Sequence, residues 1–126
     1  MGKLFVVMYH YTRDLKHSRY PEIKGLDVSL FREQIEFMKQ QFNIVSMEQV
    51  IEAVERHADL PDKALLLTFD DGYVDNYTFA FPILVEFGIQ GSFFIPGKTF
   101  ATHQLLNVNK IHYILASADE KNWLKM

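Results

Sequence analysis

The spacing of apolar positions changes several times along this chain, and each change marks an element. Leu4 to Tyr9 is a nearly unbroken apolar run that ends in His10-Tyr11 and reads as a buried strand. Residues 12–27 are polar and mixed, with Pro21 and Gly25, and read as a long loop of the kind that more often works than idles. Phe31, Ile35, Met38 and Phe42 recur at helical spacing, which predicts a helix opening near Asp27 or Ser29 with one apolar stripe. Asn43–Val45 predicts a short strand. Ser46, with Gln49 three residues on, is a capping box, and the helix it opens is expected to bury Val50, Ile51 and Val54. After Pro61 the chain turns apolar again from Ala64 to Phe69, the pattern of a strand covered on both faces. A helix is predicted from about Asp75 to Phe87, stopped by Gly88 and started late or kinked by Pro82. Gly91–Gly97 reads as another strand with a turn behind it. Val108, Ile111 and Leu115 suggest a further helix, and Ser117–Glu120 is a second capping box opening a last one near Trp123.

Strands alternating with helices define an α/β chain with parallel strands. At 126 residues it is about one domain long. Eleven Phe and six Tyr supply both a sizeable core and aromatic faces for a groove. A net charge of −3 without a Lys or Arg run argues against nucleic acid as a partner. The absence of cysteine excludes disulfides and thiolate metal sites, so any metal must sit on Asp, Glu, His or carbonyl oxygen. The first apolar run is too short for a signal sequence, and nothing approaches a membrane span, so the expected location is the cytoplasm.

The chemistry concentrates in Leu65-Leu66-Leu67-Thr68-Phe69-Asp70-Asp71-Gly72. Two carboxylates at the mouth of a buried strand are costly unless a cationic or protic group offsets them. A metal ion carrying a water is one such offset; a solvated Asp-Gly turn is the plainer alternative. His10, at the end of the first strand, would point toward the same mouth, with a supporting or substrate-side role. Tyr73 either lines a substrate groove or packs on the next helix. Asp75 reads as a helix N-cap, Phe93 and Phe94 as core, and the Arg13–Arg19 segment as a solvated basic loop. Receiver domains also gather carboxylates at strand ends, but their acidic pair follows the first strand and a separate Asp follows a later one. Phosphatases of the Asp-X-Asp type need a residue between the aspartates, and here they are adjacent.

Thr68-Phe69-Asp70-Asp71-Gly72-Tyr73, with Asn76-Tyr77, Pro82-Ile83-Leu84 and Gly88-Ile89-Gln90-Gly91-Ser92-Phe93-Phe94-Ile95, resembles the first half of a polysaccharide deacetylase domain. This is the NodB homology domain of carbohydrate esterase family 4. Val7-Met8-Tyr9-His10, Phe31–Phe37 and Val45–Glu48 resemble its opening and intervening segments, so the likeness covers roughly residues 4–97. It implies part of a distorted (β/α) barrel with the site at the C-terminal strand ends. It implies Asp70 as general base and Asp71 as a ligand of a divalent metal, most often zinc, with cobalt, nickel or manganese as alternatives. The implied reaction removes acetyl from N-acetylated sugars.

The family's second motif, His-(Ser/Thr)-X-X-His, has no counterpart among His10, His17, His57, His103 and His112, and its later motifs are missing too. Residues 1–100 therefore read as the N-terminal half of the domain, and 101–126 as the start of a helical insertion or a truncated tail. On this reading the barrel is incomplete and the chain is inactive alone. A second polypeptide or self-association would cover the open edges. The alternative is a non-catalytic carbohydrate-binding or partner-dependent remnant.

Overall fold

In the computed structural model, which describes residues 2–118, the sheet is built around one strand. β5 (Ala64–Asp70) pairs in parallel along Ala64–Phe69 with β1 (Leu4–Tyr9). β4 (Asn43–Val45) pairs with its first half and β6 (Ser92–Phe94) with its second, both parallel. Since β1 occupies one edge of β5 throughout, β4 and β6 share the other. The unbroken apolar run of β5 is explained by this place: residues 64–69 are all buried.

Its side chains serve two layers. Leu65, Leu67 and Phe69 point to a core shared with Phe31, Ile35 and Met38 of α1 (Val28–Gln41) and Ile83 and Leu84 of α3 (Phe81–Phe87). Phe69 is the centre of an aromatic array, stacked on Tyr9 at 5.3 Å and Phe93 at 4.7 Å. Tyr9 donates a hydrogen bond to Gln34, and burial pushes its hydroxyl pKa up to about 12. On the opposite face the register aligns Val6 with Leu66, Met8 with Thr68 and Phe94 with Asp70. On that face Ala64 and Leu66 are buried beneath Met47, Val50 and Leu60, whereas Val6, Met8 and Phe94 are 56%, 58% and 50% exposed, so cover on this side stops short of the site end. The described residues form an open α/β segment with parallel strands and no closed barrel.

The helix signals hold, with instructive exceptions. Asp27 caps α1 by accepting from the Ser29 amide at 3.0 Å, and the capping box of Ser46 and Gln49 opens α2 (Met47–Glu55). The burial predicted for α2 is corrected: Ala53 is buried and Val50 packs on the core, whereas Ile51 and Val54 are exposed. The contact line runs through residues three apart, and a side chain one position further on is rotated about 100° away from it. Pro82 has no N–H to give to a helical bond. The chain absorbs this in a π-helical turn, Asn76–Ala80, closed by the Phe81 amide on the Asn76 carbonyl, before α3 begins. Gly88, at φ 65°, ends α3. Gly91 permits the next strand's approach, because a Cβ there would lie 2.7 Å from the Phe69 ring.

The 12–27 segment is not a free loop. β2 (Thr12–Arg13) and β3 (Leu26–Asp27) pair in parallel at its two ends. Arg13 is corrected from a solvated loop residue to a buried one: its Nε donates to Asp75 Oδ2 at 2.6 Å, and its guanidinium lies 4.7 Å from the centre of the Tyr11 ring. Asp75 is corrected in turn, since it makes no side-chain capping bond and serves Arg13 instead. Beyond β6, α4 (Gly97–Thr102) is a short exposed helix and α5 (Asn107–Ser117) returns to Tyr11, Tyr20 and Tyr73. The predicted α5 stripe is inverted: Val108, Ile111 and Leu115 are exposed, and the buried residue is Asn109. Hydrogen bonds, described below, hold its inward face. Ser117 donates to the Tyr113 carbonyl, and the helix proposed near Trp123 lies outside the described residues.

Candidate active site

Asp70 is the last residue of β5, and the chain turns immediately after it. Asp71 and Gly72 both take left-handed backbone conformations, φ 71° and 61°. Asp tolerates that region better than most residues with a Cβ, and Gly is free of the penalty. A Cβ at position 72 would also meet Ile95 at 3.1 Å. This tight turn gives two neighbouring carboxylates separate surroundings. Both line an open cleft of about 460 Å³ with Phe94, Ile95 and Pro96.

His10 and Asp70 come together at the ends of adjacent strands, with Nε2 4.0 Å from Oδ2. That is beyond a direct hydrogen bond. Asp71 instead accepts a hydrogen bond from the Tyr73 hydroxyl at 2.8 Å. Burial first, and then the bonds to Tyr11 and Asp71, hold the Tyr73 pKa well above the usual phenol range, so at neutral pH it is a donor. The Tyr73 ring stacks on Tyr11 at 4.2 Å with planes 16° apart.

All four sequence-predicted site residues thus meet at one end of the sheet: His10 beside Asp70, Tyr73 on Asp71. Phe94, read as core, is half-exposed in the cleft. Sequence reasoning missed Tyr11, Arg13 and Asn109. Tyr11 directly follows His10 beyond the first strand, a position that points to the site end. Asn109 stands between Val108 and Lys110 with Asn107 close by, so nothing in its sequence neighbourhood marks it out from a solvated position.

A metal centre is a further question. Among the described residues no group of three His, Cys, Asp or Glu side chains is placed to hold a metal ion. The residues at this cleft therefore do not by themselves fit a complete metal site.

The fold and the strand-end carboxylates define a class: parallel α/β proteins with an acidic pair at the C-terminal mouth of their sheet. Residues 57–118 match the family model described as polysaccharide deacetylase. The poly-beta-1,6-N-acetyl-D-glucosamine N-deacetylase of Escherichia coli K12 is 45% identical over 60 residues, which is 47% of this chain and 9% of that protein. A putative polysaccharide deacetylase of Bacillus subtilis strain 168 is 47% identical over 38 residues, 30% of this chain and 14% of its own length. Among solved structures, a de-N-acetylase from Aggregatibacter actinomycetemcomitans superposes with a TM-score of 0.68 at 28% identity, over 82% of this chain and 42% of that one. The Streptococcus pyogenes deacetylase PplD, solved with acetate, gives 0.63 at 27% identity, over 86% and 50%. Residues 57–118 are thus similar to part of a polysaccharide deacetylase domain, and most of the chain shares the fold of a solved de-N-acetylase. The chain spans half or less of the solved structures it matches and a small share of the curated relatives.

Proposed function

We propose that this chain supplies the general base and one metal ligand of a deacetylase that removes acetyl groups from N-acetylated sugars. The observation that carries the reading is the Asp70–Asp71 pair at the β5 mouth, two adjacent carboxylates with different partners in one open cleft. Asp70 is the base. It takes a proton from water as the oxygen attacks the acetyl carbonyl carbon. The C–N bond then breaks, acetate departs, and the sugar keeps a protonated amine. His10 stands beside it, Nε2 4.0 Å from Oδ2, on the substrate side of the cleft. Asp71, held by Tyr73, is the metal-facing carboxylate; zinc is the favoured ion, with cobalt, nickel and manganese as alternatives. Other ligands must come from outside the described residues. Domain limits follow the same reading: residues 1–100 are the N-terminal half of the domain and 101–126 a helical insertion or tail.

A second reading, a partner-dependent or carbohydrate-binding segment without turnover of its own, is favoured by the exposed Val6, Met8 and Phe94 face. In either case that face and the open strand edges call for cover from further polypeptide, from the same or another chain. Zinc titration followed by calorimetry tests the metal assignment. The chain alone should bind zinc weakly. A longer protein that adds a His-(Ser/Thr)-X-X-His segment should bind it tightly, and Asp71→Asn should weaken that binding by an order of magnitude or more. Tight binding unaffected by Asp71→Asn would remove Asp71 from the ligand set.

A further inference from the structure

α5 reaches the candidate site through a chain of polar contacts. The Asn109 side chain is 3% exposed and donates from Nδ2 to two phenols, Tyr73 Oη at 2.5 Å and Tyr11 Oη at 3.0 Å. Tyr73 Oη donates onward to Asp71 Oδ2 at 2.8 Å, and Tyr11 Oη lies 3.3 Å from His112 Nδ1. The two phenol rings are stacked, so their hydroxyls are set side by side beneath the amide.

The direction of these bonds follows from the donor inventory. An ionised carboxylate only accepts, so the Tyr73 proton must point to Asp71. Tyr73 Oη then has only lone pairs to offer its other neighbour, and the Asn109 amide supplies a matching proton. The amide has two protons, and the second goes to Tyr11 Oη. Tyr11 Oη also lies beside Tyr73 Oη and 3.3 Å from His112 Nδ1, either of which its own proton can serve. The Tyr73 hydroxyl is thus held between the carboxylate that takes its proton and the buried amide that fills its acceptor side.

We infer that Asn109 is a positioning residue for Asp71. It acts through Tyr73, locking the hydroxyl as a donor and so holding the carboxylate in one rotamer at the cleft. The inference gives α5 a functional place at the site, and its importance for catalysis rests on the reading of Asp71 given above. Its test does not.

The side-chain carboxyl carbon of Asp71 can be followed by ¹³C NMR in the full chain, without metal or substrate, and assigned by its loss in Asp71→Asn. Tyr73→Phe should shift this signal. Asn109→Leu, branched at Cγ in the same way and unable to donate, should shift it in the same direction. The double variant should shift it no further than Tyr73→Phe alone. Asn109→Asp, whose carboxylate competes for the Tyr73 proton, should reproduce the Tyr73→Phe shift and serves also if the leucine variant does not fold. A merely structural role for Asn109 would lower thermal stability and leave the Asp71 carbon unchanged in the folded protein. That outcome, or additive shifts in the double variant, would overturn the inference. The signal is read in the free chain, so the result is independent of whether the deacetylase assignment holds.

Discussion

Replacing Arg13 by Ala should be among the most damaging single changes outside the apolar core. Arg13 and Asp75 are 9% and 7% exposed, and their charged atoms are 2.6 Å apart. Burial works against the guanidinium's charge, but its contacts with Tyr113 and Asp75 outweigh that and raise its pKa. Burial also pushes Asp75 above the ordinary carboxylate range, with Arg13 opposing. Removing Arg13 leaves a buried carboxylate with no cation, a change that typically costs about 3–5 kcal/mol. Loss of the guanidinium over the Tyr11 ring adds about 0.5–1 kcal/mol. A total near 4 kcal/mol is a large share of the roughly 5–15 kcal/mol that holds a domain folded. With a urea slope of about 1.5 kcal/mol per molar, the unfolding midpoint should fall by roughly 2.5 M. The deficit should depend on pH with a definite sign. A carboxyl whose folded pKa is raised contributes most below its unfolded value near 4, and that contribution is lost as pH rises through the folded pKa. Without Arg13 the folded pKa of Asp75 rises further, so the gap between variant and parent should widen from pH 4 to pH 7. The double variant Arg13→Met/Asp75→Leu removes both charges and should lie within about 1 kcal/mol of the parent. Urea unfolding at both pH values checks all of this. A single-variant cost under about 1 kcal/mol, or a double variant no better than the single, would refute the argument.

Other outcomes follow from single contacts. Gly91→Ala places a methyl 2.7 Å from the Phe69 ring and 3.1 Å from Leu84, so stability should drop by about 1–3 kcal/mol in thermal unfolding, while an equal cost for Gly97→Ala, where a Cβ meets nothing, would contradict the packing explanation. Asp27 has a lowered pKa, chiefly from the Ser29 side-chain and backbone bonds, so its capping stability is present above pH 4 and is lost as pH falls through the folded value. Asp27→Asn should keep most of the cap and lose that acid dependence, whereas Asp27→Ala should cost about 0.5–2 kcal/mol at pH 7; acid titrations of the two variants that superpose on the parent would count against the cap. Phe69→Ala empties the centre of the aromatic array and should cost about 3–5 kcal/mol by the same urea measurement, with a value below about 1 kcal/mol placing the core elsewhere.

The parts of this chain that were legible in sequence are those where one local rule decides. The β5 run, the caps at Asp27 and Ser46, the Gly88 stop and the disturbance at Pro82 each follow from the chemistry of a few adjacent residues. Asp70 and Asp71 stood out because Asp-Asp-Gly at a strand end belongs to a recognisable set of spaced segments, and the fold places both in one cleft. What was not legible depends on partners distant in sequence. Arg13 looks like a surface cation until Asp75, 62 positions away, is folded against it. The same contact takes Asp75 from its expected capping role. α5 carries an apolar stripe, yet Asn109 faces inward because Tyr11 and Tyr73 present hydroxyls there. Ile51 and Val54 were misjudged because a narrow contact line, rather than hydropathy, selects which α2 residues are covered.

The central claim is that Asp70 is the base of an N-acetyl-sugar deacetylase whose site this chain begins but does not complete. Acetate release from an N-acetylglucosamine oligomer, with zinc, cobalt or nickel supplied, measures it directly. The account predicts release close to background for the chain alone. It predicts clear release when the chain is joined or mixed with the remaining half of a deacetylase domain, and loss of that activity in Asp70→Asn. Turnover by the chain alone that Asp70→Asn abolishes would contradict the incompleteness of the site, and turnover by the completed protein that survives Asp70→Asn would contradict the role of Asp70.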